Sequence, residues 1–130
     1  MAQIKHIAIR THDVAKTAAF YKEAFDLEQV GVAQNGIYLT DGHLNIAILS
    51  LRTPADGETM KIGVDHIGFA VNDVNAAVAR VKSVGGKALD EHNVVDRANT
   101  SKAQSYFEVK CVGPDGQVID VSNAGWIGAK

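Results

Sequence analysis

His6–Phe25 reads HIAIRTHDVAKTAAFYKEAF, and His66–Gly85 reads HIGFAVNDVNAAVARVKSVG. Laid over one another at an offset of about sixty residues, with no gap, the two stretches match repeatedly. His6 meets His66, Ile7 meets Ile67, Asp13 meets Asp73 and Val14 meets Val74. Further along, Ala19 meets Ala79 and Lys22 meets Lys82. One or two such matches arise by chance; this many in register point to an internal duplication.

Working outward, each copy reads alike. Lys5 to Arg10 and Asp65 to Val71 are short runs rich in β-branched and apolar residues, hence strands. Asp13 and Asp73 each precede an apolar series, where a short carboxylate can cap the open N–H groups of a helix start. In the first helix the apolar stripe is Val14, Ala18, Tyr21 and Phe25, broadened by Phe20 and Ala24. In the second it is Val74, Ala77, Val78, Val81 and Val84, with Gly85-Gly86 as the stop.

Three strands are expected after each helix. In the first half they are Glu28 to Gln34, Ile37 to Thr40 and His43 to Ser50, with turns at Asn35-Gly36 and Asp41-Gly42. In the second they are Lys87 to His92, Ser105 to Val112 and Gln117 to Ser122, with Gly113-Pro114-Asp115-Gly116 as a turn. Arg52 to Lys61 reads as a linker, and Asp96 to Lys102 as a polar loop and candidate lid. The expectation is an α+β chain of tandem βαβββ modules, 1–51 and 62–123, with a tail 124–130.

The bulk properties narrow the function. The 130 residues suit one compact domain, and the formal net charge of -2 gives no basic field for nucleic acid or an anionic membrane surface. No apolar run approaches the roughly 20 residues that span a bilayer. The early charges of MAQIKHIAIRTHD do not suit a signal peptide. Cys111, the single cysteine, excludes an intramolecular disulfide and fits a reducing compartment, so a cytoplasmic location is expected. Its apolar-polar surroundings suit an inert buried thiol.

Strand parity then locates the chemistry. Ile7 and Ile9 share the face suited to helix packing, as do Ile67, Phe69 and Val71; His6, Ala8 and Arg10, and His66, Gly68 and Ala70, take the opposite face. A single histidine on a sheet face is ordinarily structural. Two at equivalent repeat positions, each followed two residues on by a small side chain, point to ligands. In GQVIDVS, Asp120 falls on the histidine side between Ile119 and Val121. A carboxylate so embedded is costly unless paired, hydrogen-bonded or coordinated. Two imidazoles and a carboxylate suit Fe(II), Mn(II), Co(II), Ni(II) or Zn(II), with open positions left for substrate.

Paired βαβββ modules, a histidine in the first strand of each, and Pro114-Asp115-Gly116 followed by Asp120 resemble the vicinal oxygen chelate superfamily. That group contains glyoxalase I, extradiol dioxygenases, fosfomycin-resistance transferases, methylmalonyl-CoA epimerase and bleomycin-resistance proteins. The resemblance covers nearly the whole chain. It implies a U-shaped mixed sheet around a central metal cavity with helices outside, usually in a homodimer. It carries one divalent metal ion over to His6, His66 and Asp120, with a small-molecule substrate chelating through adjacent oxygens.

Glyoxalase I adds a Glu from the last strand of its first module. Here the position matching Asp120 is Ala47, which can neither ligate nor take a proton. Asn45, one strand repeat away, can contact substrate or a metal-bound water. Three protein ligands resemble the dioxygenases and fosfomycin transferases, although both usually carry Glu where this chain has Asp120. DRANTSKAQS differs from the potassium-binding loop of the transferases. The reading is therefore a glyoxalase-like lyase or isomerase, or an extradiol-type dioxygenase. The alternatives are a metal-free, bleomycin-resistance-like binding protein and a fosfomycin-resistance-like thiol transferase.

Further substrate-binding candidates are Arg10, which can hold a carboxylate, His43, Asn45, Tyr106 and Glu108. Tyr106, Glu108 and Lys110 alternate with Phe107, Val109 and Cys111, so the polar set either faces the pocket or forms a solvated edge. Tyr106 or Glu108 can serve as acid or base. His12 and His92 read as loop or edge residues, and Trp126 as a packing residue at the pocket or a dimer contact.

Overall fold

The computed structural model describes residues 1–51, 61–89 and 108–130. Most of the expected linker, the loop Asp96–Lys102, His92 and Tyr106 lie outside the described residues. Those described form two compact units. One is Lys5–Asp65 with Trp126–Lys130, and the other is Met1–Ile4 with His66–Gly125.

The first unit holds the body of β1 (Gln3–Thr11), then α1 (Val14–Phe25), β2 (Glu28–Ala33), β3 (Gly36–Thr40) and β4 (Asn45–Ser50). Its strands lie in the order β2-β3-β4-β1. Pairing is antiparallel within the meander and parallel where β4 returns beside β1. The second unit holds most of β5 (Gly63–Ala70), then α2 (Val74–Ser83), β6 (Lys87–Ala88), β7 (Glu108–Val112) and β8 (Val118–Ser122). Its order is β5-β8-β7-β6, again with the last strand parallel to the first. The α+β class and the twofold βαβββ plan are as expected.

The helix starts follow from single side chains. Asp13 Oδ1 accepts from the Lys16 backbone N–H at 3.0 Å, and Asp73 Oδ1 from that of Ala76 at 2.9 Å. Each satisfies one of the open donors of its first turn. Asp26, at φ 55°, ends α1 in the left-handed region that a short polar side chain tolerates.

Helix coverage decides which apolar residues are buried. α1 lies on β3 and β4, closing a core of Ala18, Leu39 and Ile48 flanked by Ile9, Val14, Tyr21 and Ile46. α2 lies on β6, β7 and β8, over Val74, Val78, Val109, Cys111 and Val121. Cys111 is thus a buried core thiol, as its surroundings suggested.

Three expectations are corrected. Phe20 and Phe25, assigned to the buried stripe, are 60% and 64% exposed. Phe25 shares the angular face of Ala18 but closes the helix, and it pairs instead with Phe20 and Tyr21. Ile67, assigned to the helix side, is 37% exposed, because α2 covers the other three strands of its sheet. The last strand of module one starts at Asn45 rather than His43. Asp41 Oδ1 accepts the backbone N–H groups of His43 and Leu44 at 2.8 and 2.7 Å, folding those residues into a turn.

The first hairpin also moves by one residue. Ala33 pairs with Gly36, so the turn residues are Gln34 and Asn35, and Gly36 is already strand. What Gly36 supplies is space, since a Cβ there would stand 2.8 Å from the Ile48 carbonyl oxygen and 2.5 Å from Leu49 Cδ2.

Candidate metal centre

Alternation along β1 puts His6, Ala8 and Arg10 on one face, all buried, while Ile9 packs on the helix side. Along β5, His66 and Gly68 are likewise buried. The register equates the two modules. Ala8, two residues after the first histidine, pairs with Ala47; Gly68, two after the second, pairs with Asp120. Ala47 is therefore the module-one counterpart of Asp120. It is buried, so the corner without a carboxylate is a packed methyl group.

In the second unit Asp120 is 1% exposed and bound on both oxygens. His66 Nε2 is 3.0 Å from Oδ2, and Lys110 Nζ is 2.5 Å from Oδ1. Lys110 is there because β7 sets it directly opposite Asp120. Burial raises the carboxyl pKa, but the hydrogen bond from His66 and the Lys110 charge outweigh it and hold the group below its ordinary value. Asp120 is thus an anion at neutral pH.

In the first unit His6 is fixed from two sides. Asn45 Nδ2 donates to the Ile127 carbonyl oxygen at 2.8 Å, which turns Asn45 Oδ1 toward the histidine. His6 Nδ1 stands 2.7 Å from that oxygen and must donate to it. The ring also stacks on Trp126, with centroids 5.0 Å apart and planes within 4°.

His6, His66 and Asp120 are all buried, and each offers one atom that could ligate a divalent ion. The 3.0 Å between His66 Nε2 and Asp120 Oδ2 is that of their hydrogen bond.

The other candidates differ in their surroundings. Arg10 is buried, with one N–H donating to the Ser50 carbonyl oxygen at 3.0 Å and Nε 3.8 Å from Asp65 Oδ2. His43 is exposed in its turn. Asn45 has both ends of its amide engaged by His6 and Ile127. Glu108 is half-buried and lies opposite Ser122. Parity grouped Lys110 with the polar set but not with Asp120. Nothing in the local pattern of Trp126 announced its stack on His6.

A family model described as Glyoxalase/Bleomycin resistance protein/Dioxygenase superfamily matches residues 3–121. The uncharacterized protein YaeR of Escherichia coli (strain K12) is 27% identical over 139 residues, covering 93% of this chain and 95% of that protein. The Mn(II)-bound glyoxalase of Novosphingobium aromaticivorans superposes with a TM-score of 0.69 at 24% identity, over 98% of this chain and 40% of that one. Methylmalonyl-CoA epimerase from Mycobacterium tuberculosis gives a TM-score of 0.62 at 16% identity, over 92% and 85% of the two chains. At these identities the structural likenesses speak for the fold.

Proposed function

Because the chain belongs to the glyoxalase/bleomycin resistance protein/dioxygenase superfamily, we propose that it is a metal-dependent enzyme whose His6, His66 and Asp120 hold one divalent ion. Its substrate is a small molecule that presents two adjacent oxygens. The observation that carries this reading is the set of three buried donor groups that could hold one ion. His6, at the equivalent strand position, is held through Nδ1 by Asn45. A relative of the same fold is named as binding Mn(II), which supports a first-row ion.

A divalent ion here acts as a Lewis acid toward the paired oxygens of the substrate. The protein's own part is charge and position. Asp120 supplies the only negative charge of the donor set and Lys110 balances it, so the loaded site favours an anionic or readily ionised ligand. Ala47 can neither ligate nor take a proton, so a proton-transfer step must use another group. Glyoxalase-like isomerisation or lysis and extradiol-type ring cleavage are the reactions to distinguish. Cytoplasmic residence and a homodimer belong to the same reading.

Protein purified without chelators is expected to carry close to one equivalent of a first-row metal, and His66→Ala to lose it. Undiminished binding in His66→Ala would remove the assignment. Oxygen uptake on a panel of catechols separates ring cleavage from the other chemistries. One observation favours a second reading, metal-free binding: both oxygens of Asp120 already have partners in His66 and Lys110. Absence of metal at saturating Mn(II), Fe(II) and Zn(II) would select it.

A further inference from the structure

The C-terminal segment Trp126–Lys130 packs with the first module, and its contacts converge on one residue of the site. The single Thr40 hydroxyl proton is shared between the carbonyl oxygens of Leu44, at 2.7 Å, and Gly128, at 2.9 Å, and the Lys5 ammonium donates to the Lys130 oxygen. Gly128 sits at φ +80°, and a Cβ there would come within 2.9 Å of both Thr40 Cβ and Val30 Cγ2. The segment therefore docks only with glycine at 128. Between these anchors Ile127 offers its carbonyl oxygen to Asn45, and Trp126 lies flat on the His6 ring.

We propose that Asn45 and the segment Trp126–Gly128 are positioning elements for His6, setting which ring nitrogen carries the proton and the plane in which the ring lies. The Ile127 carbonyl can only accept, so it takes the amide N–H of Asn45 and points the amide oxygen at His6 Nδ1. That oxygen can only accept as well, so Nδ1 carries a proton and, in the neutral ring, Nε2 keeps the lone pair. Trp126 opposes rotation of the imidazole out of its plane. A residue 82 positions from Asn45 thus decides the protonation pattern of a histidine in the first strand. As a statement about metal loading the inference rests on His6 being a ligand; as a statement about the tautomer it does not.

The test separates the two. Histidine-labelled, metal-free protein is read by long-range 15N–13C NMR above the imidazole pKa, with His66 as internal control. Wild type is expected to show His6 protonated on Nδ1. Asn45→Leu removes the acceptor, and Gly128→Ala lifts the segment while leaving Asn45 in place. Both should shift His6 toward the Nε2–H form and leave His66 unmoved. Asn45→Asp should keep Nδ1–H, because a carboxylate still accepts, yet repel the Ile127 carbonyl and release Trp126. As the single tryptophan, Trp126 reports that release by its own fluorescence.

Zn(II) and Mn(II) affinities, measured by competition with a chromophoric chelator, should fall about 10- to 100-fold in Asn45→Leu and Gly128→Ala. An unchanged His6 tautomer in Asn45→Leu would overturn the inference. A shifted tautomer there with an unshifted one in folded Gly128→Ala would overturn the role of the segment. Altered tautomers with metal affinity equal to wild type would instead remove His6 from the ligand set, leaving the positioning itself in place.

Discussion

Asp120 is held by two partners of different kinds, an imidazole on one oxygen and an ammonium on the other. Only the first occupies a place a metal ligand would take. Asp120→Asn keeps the shape but removes the charge, and is expected to weaken divalent-metal binding at least as much as loss of an outer-shell partner, about 10- to 100-fold. Lys110→Met should act oppositely at low ionic strength: without a competing cation on Oδ1, metal affinity should rise, as titration calorimetry can measure. A fall would mean that Lys110 orients the carboxylate rather than competing for it. At this scale the three ligand candidates were legible because strand parity and the repeat both singled them out. The role of Asn45 was not, since it depends on a carbonyl far along the chain.

Asp41 links residue to turn. Hydrogen bonds from the backbone N–H groups of Leu44 and His43 hold its carboxyl below the ordinary value of 3.8. A depressed folded-state pKa gives stability that is present above the unfolded value and lost as pH falls through the folded one. Wild type should therefore lose a small increment of stability below about pH 4 that Asp41→Asn does not lose. Equal acid slopes in urea titrations would remove the effect.

At the scale of elements, the two helix starts are the clearest case of sequence dictating structure. Asp13→Ala and Asp73→Ala should each cost about 1 kcal/mol, read from urea midpoints at constant m. Gly36→Ala should cost about 1–3 kcal/mol through overpacking against β4, although its φ permits any residue. The spacing of apolar residues gave the periods of helix and strand but not how far each helix extends over its sheet. Hence Phe20, Phe25 and Ile67 were assigned to a core that ends before reaching them. Likewise, turn-type residues marked the first hairpin, but the register put Gly36 inside the strand.

For the whole molecule, the proposed metal is also a stabiliser. An ion that binds only the folded chain adds about 2.7 kcal/mol at a free concentration of 100 times Kd. Chelation should accordingly lower the melting temperature of wild type and leave His66→Ala unchanged, as scanning calorimetry will register. The duplication made the architecture readable, because each module needed only half the inference. The contrast of Ala47 with Asp120 was legible in the same way; what the duplication could not reveal is the return of the segment Trp126–Lys130 to the first module.

That return has a consequence for the order of events during synthesis. In both modules the first strand waits for the last, since β1 pairs with β4 and β5 with β8, each far along the chain. Such non-local parallel closures are slow relative to helix formation. A chain emerging from the ribosome can complete β1 to β4 early, but Trp126 and Ile127 are translated after both histidines and Asp120. Asn45 and His6 therefore wait for Trp126 and Ile127 to dock, and the His6 ring is ordered late. In refolding experiments tryptophan fluorescence should report the final kinetic phase, after far-UV circular dichroism has reached its plateau.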